Sequence, residues 1–119
     1  MPYRYLHYEE LVRFCESVFE AYGFREEESR QIAAVILAAD LNGIESHGVQ
    51  RMVRYEKEVL SGMVNVHAAP RIVHETPMSA VIDADNAMGQ VVGQQAMRLA
   101  IDKARAVGCG MVTVRNSNH

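Results

Sequence analysis

The chain has 119 residues, which is enough for one domain with a real hydrophobic core. Its formal net charge is −3, and its 12 basic residues are scattered among 15 acidic ones, which argues against a nucleic-acid-binding protein. No apolar run approaches the roughly 18 residues that a membrane span needs, and the first residues lack the apolar region of a signal peptide.

Three helices are predicted in the first half of the chain. Apolar residues recur at helical spacing from Tyr8 to Tyr22, and Gly23 follows where a left-handed C-cap is expected. A second helix should begin in the acidic segment REEES and end at about Asp40. A third helix is predicted from about Gly48 to Leu60, on an apolar stripe interrupted by Glu56. The apolar members of that stripe are Val49, Met52, Val53, Val59 and Leu60.

The second half of the chain has the pattern of strands around one long helix. Short extended runs cover Arg71 to Glu75 and Ser79 to Asp83, and turn residues follow each of them. A long helix is predicted from Gly89 to Ala106. A β-rich apolar run from Gly110 to Arg115 follows this helix, which predicts a third strand.

The sequence pattern changes from helical to extended near Ala68, which predicts a domain boundary there. We expect a helical N-terminal segment over residues 1–68 and the start of an α/β domain over residues 69–119, which together make a mixed α+β or α/β fold of non-Rossmann type. Three strands and one helix rarely bury both faces of a sheet, so the chain is expected to be the front part of a longer protein. A small natural protein with a ragged end is the alternative.

A polar group in the sequence GIESHGVQR is the first candidate site. Ser46 can cap the helix that follows by accepting backbone N–H bonds, which would make it structural. His47 and Arg51 are four residues apart and share a face if the first turn is helical. An arginine fork suits a carboxylate, and a helix start adds N–H groups and positive partial charge. The pattern leaves two interpretations open, a cradle for a small organic acid and a solvated polar surface.

His119 is the second candidate, because it follows the last predicted strand in a loop rich in asparagine and serine. Functional groups often lie just past strand ends in α/β folds. A histidine titrates near neutrality and can exchange a proton with an alcohol or a carbonyl. A catalytic role and a solvated residue are both compatible with this pattern.

The remaining candidates have structural interpretations. Gly89 and Gly93 flank a helix start without the strand–GxGxxG–helix arrangement of a dinucleotide fingerprint, so close helix packing is expected there. No metal site is expected, since the histidines and acids lack the ligand spacing of a zinc signature. Cys15 and Cys109 lie far apart in the sequence, which is typical of a reducing, cytoplasmic environment.

Three stretches of the sequence together resemble the type 2 malate/L-lactate dehydrogenase family. They are AADLNGIESHGVQRMVRYEKEVLSG, IDADNAMGQVVGQQAM and VRNSNH. The likeness runs from about Leu6 to His119, and the combination of ADxxGIxSHGxxR, DxxNxxGQ and NSNH is specific to this family. Its relatives include ureidoglycolate, 2,3-diketogulonate and sulfolactate dehydrogenases.

The resemblance implies a reaction and a set of site residues. Family members bind NAD or NADP and interconvert a small 2-hydroxy acid and its 2-oxo acid by hydride transfer, usually as homodimers. The resemblance places Ser46, His47 and Arg51 at the substrate site, and it gives the acid–base role to His119 or His47. It also implies that most cofactor contacts lie beyond position 119, because family members are considerably longer. This fragment alone is therefore expected to be inactive.

A second interpretation belongs to another functional class, a non-catalytic helical interaction module. Such a module would expose an apolar face on its first helices. The enzyme interpretation requires instead that Arg51 lie beside an imidazole that can handle a proton. Neither interpretation involves a nucleic acid or a membrane as partner.

Overall fold

The computed structural model describes residues 4–119, and the fold divides into a first unit that ends at Glu56 and a second unit that begins at Lys57. The order of elements is three helices, two strands, a helix and a strand, which confirms the predicted mixed α+β class. Their bounds are α1 Tyr8–Ala21, α2 Glu26–Leu41, α3 Met52–Leu60, β1 Arg71–Glu75, β2 Ser79–Asp83, α4 Gly89–Val107 and β3 Met111–Arg115. No helix in the described part of the chain is long and apolar enough to cross a membrane. The proposed division at 68/69 stays a prediction.

The first unit is built on α1 and α2, whose predicted apolar faces are buried against each other. The buried residues include Cys15 and Phe19 of α1 and Ile32, Ala33, Ile36 and Leu37 of α2. The Phe19 ring contacts Phe24 and Tyr55, with ring centroids 5.9 Å and 6.4 Å away. Gly23 has a φ of 101°, the left-handed conformation expected of the residue that ends α1.

The apolar face predicted for the third helix is confirmed only in part, since Val49 and Met52 pack against the core of the first unit. The segment Val49–Arg51 forms a 3₁₀ turn, and the α-helix begins at Met52. Tyr55 is 1% exposed and lies in the core, whereas Val53 and Leu60 are 63% and 74% exposed. One residue turns an α-helix by about 100°, so Val53 and Leu60 lie off the face of their half-buried neighbours, and the predicted face was too wide.

The second unit is a three-stranded mixed sheet with β2 in the centre. β1 pairs antiparallel with β2, and β3 pairs parallel with it. A parallel pair needs a crossover connection, and α4 provides it. One face of the sheet packs on α4 through a core that includes Ile82, Val92 and Ala96, with Val112 and Val114 of β3 at its margin.

Lys103 is a buried charged residue of α4 that the apolar stripe did not predict. Its Nζ atom donates to Oε1 of Glu75 and to the backbone oxygen of Thr76, both at 2.8 Å. A buried ammonium group is tolerated when it is paired and hydrogen-bonded in this way. Lys103 therefore fixes the β1–β2 hairpin on α4 with a polar contact inside an otherwise apolar interface.

A methyl group at Gly110 would collide with the backbone of α4. Its Cβ would lie 2.0 Å from the Ala100 oxygen and 3.0 Å from the Ala104 nitrogen, and backbone atoms do not move aside as a flexible side chain does. We expect Gly110→Ala to lower the free energy of unfolding by about 1–3 kcal/mol, as measured by urea unfolding. Gly93→Ala is the control, since its Cβ would meet nothing within 4 Å. Equal stability of the two variants would contradict this packing.

Candidate functional site

The three residues of the first predicted site meet in two consecutive 3₁₀ turns, Glu45–His47 and Val49–Arg51. The Ser46 hydroxyl and Nδ1 of His47 are 2.9 Å apart, and either group can be the donor. Nε of Arg51 donates to the backbone oxygen of Ser46 at 2.5 Å. Ser46 thus contacts the imidazole through its hydroxyl and the guanidinium through its backbone oxygen, within six residues of sequence.

Asp40, at the end of α2, holds this turn in place. Its Oδ2 atom accepts a hydrogen bond from the backbone N–H of Val49 at 2.7 Å. The carboxylate also fills the space beside Gly48, where a Cβ would lie 1.8 Å from Oδ1 of Asp40. The capping role considered for Ser46 is therefore wrong, because Asp40 accepts the N–H bond and the Ser46 hydroxyl contacts His47. Glycine at position 48 is required by the close approach of the carboxylate.

Arg51 has donor groups left for a bound anion. The side chain is half-buried and its Nε is taken by Ser46, but across residues 4–119 no protein group accepts a hydrogen bond from its two terminal nitrogens. A guanidinium in this state can present a planar pair of donors to a carboxylate. His47 is exposed, and its Nδ1 is the ring nitrogen that contacts Ser46.

The buried thiol next to this site is structural. Burial, and then the charges of Asp40 and Glu16, raise the pKa of the Cys15 thiol to about 11. The thiol is therefore neutral at physiological pH, and a neutral thiol is a poor nucleophile. It packs in the core of the first unit, where Sγ lies 3.6 Å from the sulfur of Met52.

An open cleft of about 640 Å³ lies in the first unit. Its described lining does not include Ser46, His47 or Arg51, although it reaches the same 3₁₀ turns at Glu45 and Val49. The rest of the lining comes from the N-terminal segment, α1, α2 and Gln50. The cleft is therefore adjacent to the candidate site in sequence and fold, but it is not the cradle predicted from the SHG motif.

His119 belongs to the second unit, whereas Ser46, His47 and Arg51 belong to the first. It is exposed and follows Asn118, whose backbone oxygen accepts the N–H of Gly89 at 2.7 Å. A Cβ on Gly89 would lie 2.5 Å from this oxygen, so the close packing expected at the start of α4 is present. Asp40 and Asn118, which form hydrogen bonds with the backbone close to the candidate histidines, were not predicted from the sequence.

Comparison with known proteins identifies relatives along almost the whole chain. A family model described as malate/L-lactate dehydrogenase matches residues 6–119. The chain is 50% identical over 111 residues to malate dehydrogenase from Pyrococcus abyssi, a match that covers 93% of this chain and 31% of that protein. It is 45% identical over 102 residues to L-sulfolactate dehydrogenase from Methanocaldococcus jannaschii, covering 86% of this chain and 30% of that protein.

The fold is shared with solved structures of the same group. The structure of malate dehydrogenase from Pyrococcus horikoshii OT3 matches with a TM-score of 0.96 at 44% identity, over 98% of this chain and 34% of that one. The chain therefore spans about a third of the length of the relatives it matches.

Loss of the Asp40 carboxylate should loosen the turn without unfolding α2. Asp40→Ala leaves the Val49 N–H without its acceptor, so we expect the free energy of unfolding to fall by about 1 kcal/mol and amide exchange at Val49 to accelerate. Asp102→Ala is the control, because its pair with Arg105 at 3.6 Å is exposed and such pairs contribute roughly 0–1 kcal/mol. Hydrogen exchange followed by NMR measures both, and unchanged protection of Val49 in Asp40→Ala would contradict the cap.

Proposed function

Because the chain belongs to the malate/L-lactate dehydrogenase family, we propose that it supplies the substrate-binding and proton-transfer groups of an oxidoreductase. The proposed reaction interconverts a small 2-hydroxy acid and its 2-oxo acid by hydride transfer. The observation that carries this proposal is the turn in which Ser46, His47 and Arg51 are joined by hydrogen bonds. The activity is proposed for the intact gene product that contains this chain.

Arg51 is the proposed anchor of the substrate carboxylate. Its two terminal nitrogens can form parallel N–H···O bonds with both carboxylate oxygens, which fixes the position and the orientation of the acid. The Ser46 backbone oxygen holds Nε of the same guanidinium, so the fork is partly immobilised before the substrate binds. The relatives named malate dehydrogenase and L-sulfolactate dehydrogenase support an acidic substrate of this kind.

A histidine is the proposed acid–base group. When a 2-oxo acid is reduced, the carbonyl oxygen needs a proton, and an imidazolium beside it can donate one. When a 2-hydroxy acid is oxidised, the neutral imidazole takes the hydroxyl proton. His119 and His47 both remain candidates for this role. His47 is connected to the anchor through Ser46, and His119 follows a firmly held backbone in the second unit.

NAD or NADP is the proposed cofactor, which supplies or accepts the hydride when bound. The start of α4 does not fit a pyrophosphate at Gly89. Its Gly89 N–H donates to the Asn118 oxygen, and that oxygen occupies the space beside the glycine.

Variants of Arg51 and the two histidines should separate binding from proton transfer. In the intact gene product, Arg51→Ala is expected to raise the KM for a 2-oxo acid by about 10- to 100-fold, the loss expected for a charged hydrogen-bonded pair. Replacing the acid–base histidine by glutamine is expected to lower kcat by roughly 10²- to 10⁴-fold. His47→Gln and His119→Gln, assayed with both reduced cofactors, identify which imidazole has this role.

Two surface residues provide controls for this experiment. Arg105→Ala removes an exposed guanidinium of α4, and His67→Gln removes an exposed imidazole, so neither should change kcat or KM. Unaltered kinetics in Arg51→Ala and in both histidine variants would refute the assignment of roles.

Exposed apolar side chains on the first helices support self-association. Phe14 of α1 is 55% exposed, and Val35 and Leu41 of α2 are also exposed. Exposed apolar surface on a helical unit often marks a protein interface. We propose a homodimer of the enzyme, and the rival interpretation, a non-catalytic helical interaction module, requires the same surface but no turnover.

The dimer is tested by sedimentation of the intact gene product at micromolar concentration. We expect a dimeric mass, and we expect Phe14→Glu to weaken association because it places a charge in apolar surface. Met97→Glu, at an exposed apolar position of α4, is the control for a general effect of added charge. A clean monomer of the unmodified protein would contradict the proposal.

A further inference from the structure

The backbone before His119 is held by hydrogen bonds that continue beyond the parallel pair of β2 and β3. The segment after β2 runs alongside the segment after β3 and forms four backbone hydrogen bonds with it, of 2.7–2.9 Å. These bonds join Ala84 to Arg115, Asn86 to Asn116, and Asn118 to both Ala87 and Gly89. His119 is therefore attached to the last paired residue of this extended ladder.

The side chain of Asn118 adds two more bonds to this arrangement. Its Nδ2 atom donates to the backbone oxygen of Met63 and to the backbone oxygen of Asn86, both at 2.9 Å. An amide carries two N–H donors on one nitrogen, and Asn118 uses both of them. Aspartate has the same shape but would direct a negative charge at two carbonyl oxygens, so asparagine is the residue that this position requires.

The two loops that meet here have strained but well-supported backbones. Asp85, Asn86 and Asn116 have φ angles of 54°, 59° and 55°, a conformation that asparagine and aspartate tolerate better than most residues. Asp83 supports this region, because its carboxylate accepts bonds from the Asp85 N–H and from the Asn116 and Arg115 side chains. The N–H of Asp85 first, and then the Asn116 amide, hold the pKa of Asp83 below its usual value.

We propose that Asn118 is a positioning residue for His119. Its hydrogen bonds attach the backbone before His119 to the start of α4 and to the backbone of Met63, so that the imidazole projects from a fixed backbone. This inference rests on the proposed function, in which His119 is a candidate acid–base group. A general acid must lie within hydrogen-bond reach of its substrate atom, and a displacement of about 1 Å can cost on the order of 10²-fold in rate. A firmly held backbone at Asn118 limits the positions that the exposed His119 side chain can reach.

Two independent variants disturb the same contact in the intact gene product. Asn118→Ala removes both side-chain bonds, and Gly89→Ala places a Cβ 2.5 Å from the Asn118 backbone oxygen. In both variants we expect kcat to fall by about 10- to 100-fold, while the KM for the 2-oxo acid stays within about twofold. Asn118→Asp should behave like Asn118→Ala because its carboxylate faces the same two carbonyl oxygens.

Ser117→Ala is the matched control in the same loop. Ser117 is exposed, and its side chain forms no hydrogen bond within the part of the chain that the structure describes, so we expect this variant to keep the wild-type kcat and thermal midpoint. The positioning role would be overturned if kcat fell in Asn118→Ala and Gly89→Ala only in proportion to lost thermal stability, while the His119 ring resonance stayed unchanged.

A structural measurement decides the inference without relying on turnover. With ¹³C-labelled histidine, the wild-type His119 ring should give one sharp resonance. In Asn118→Ala and Gly89→Ala it should broaden or move toward the shift of an unstructured histidine, and amide exchange at Gly89 should accelerate. If the wild-type protein reduces no 2-oxo acid, the proposed function fails while the ring signal still tests the contact. An unchanged ring signal in both variants would refute the inference in either case.

Discussion

The arrangement of the first candidate site depends on one hydrogen bond, from the backbone N–H of Val49 to the carboxylate of Asp40. The chain leaves α2 through a turn, runs through two 3₁₀ segments and enters α3. Without an acceptor, the partly buried N–H in the second segment would lose a hydrogen bond that water cannot fully replace. Asp40 provides that acceptor at the end of α2, which packs in the core of the first unit. The hydrogen bond therefore attaches the turn to a well-packed helix.

In the second unit, a sheet rather than a pair of helices supports the backbone beside the candidate histidine. β2 and β3 end side by side because they are parallel, and the residues that follow them keep exchanging backbone bonds. Where the regular ladder ends, short polar side chains form the hydrogen bonds. Asp83 accepts bonds from neighbouring loop residues, and Asn118 donates to them. The candidate acid–base residue His119 is thus placed by strand geometry first and by side-chain hydrogen bonds second.

Features that depend on local pattern could be predicted from the sequence, and features that depend on distant pairing could not. The apolar faces of α1 and α2 and the positions of β1 and β2 follow from periodicity and turn residues, and the structure confirms them. The face of α3 was predicted too wide, because Val53 and Leu60 lie one residue beyond the half-buried side of the helix and are exposed. Family resemblance identified the chain, which the match over residues 6–119 confirms.

Asp40 and Asn118 were not predicted because the residues they contact are distant in the sequence. Asp40 acts on a residue nine positions away, and Asn118 on residues 32 and 55 positions away. Capping rules apply to neighbours within a few residues, so neither contact has a local signature. Both could have been suspected from the glycines that face them, since Gly48 and Gly89 stand where a closely approaching polar group leaves no room for a side chain.

A close contact with a polar atom accounts for each of these two glycines. Gly48 leaves room for the Asp40 carboxylate, which holds the backbone after His47, and Gly89 leaves room for the backbone oxygen of Asn118, the residue before His119. Hydrogen bonds to the backbone beside an exposed histidine can hold the point from which the ring projects. Asp40 forms such a bond in the first unit and Asn118 forms such bonds in the second, so each candidate histidine is exposed but lies beside a supported backbone.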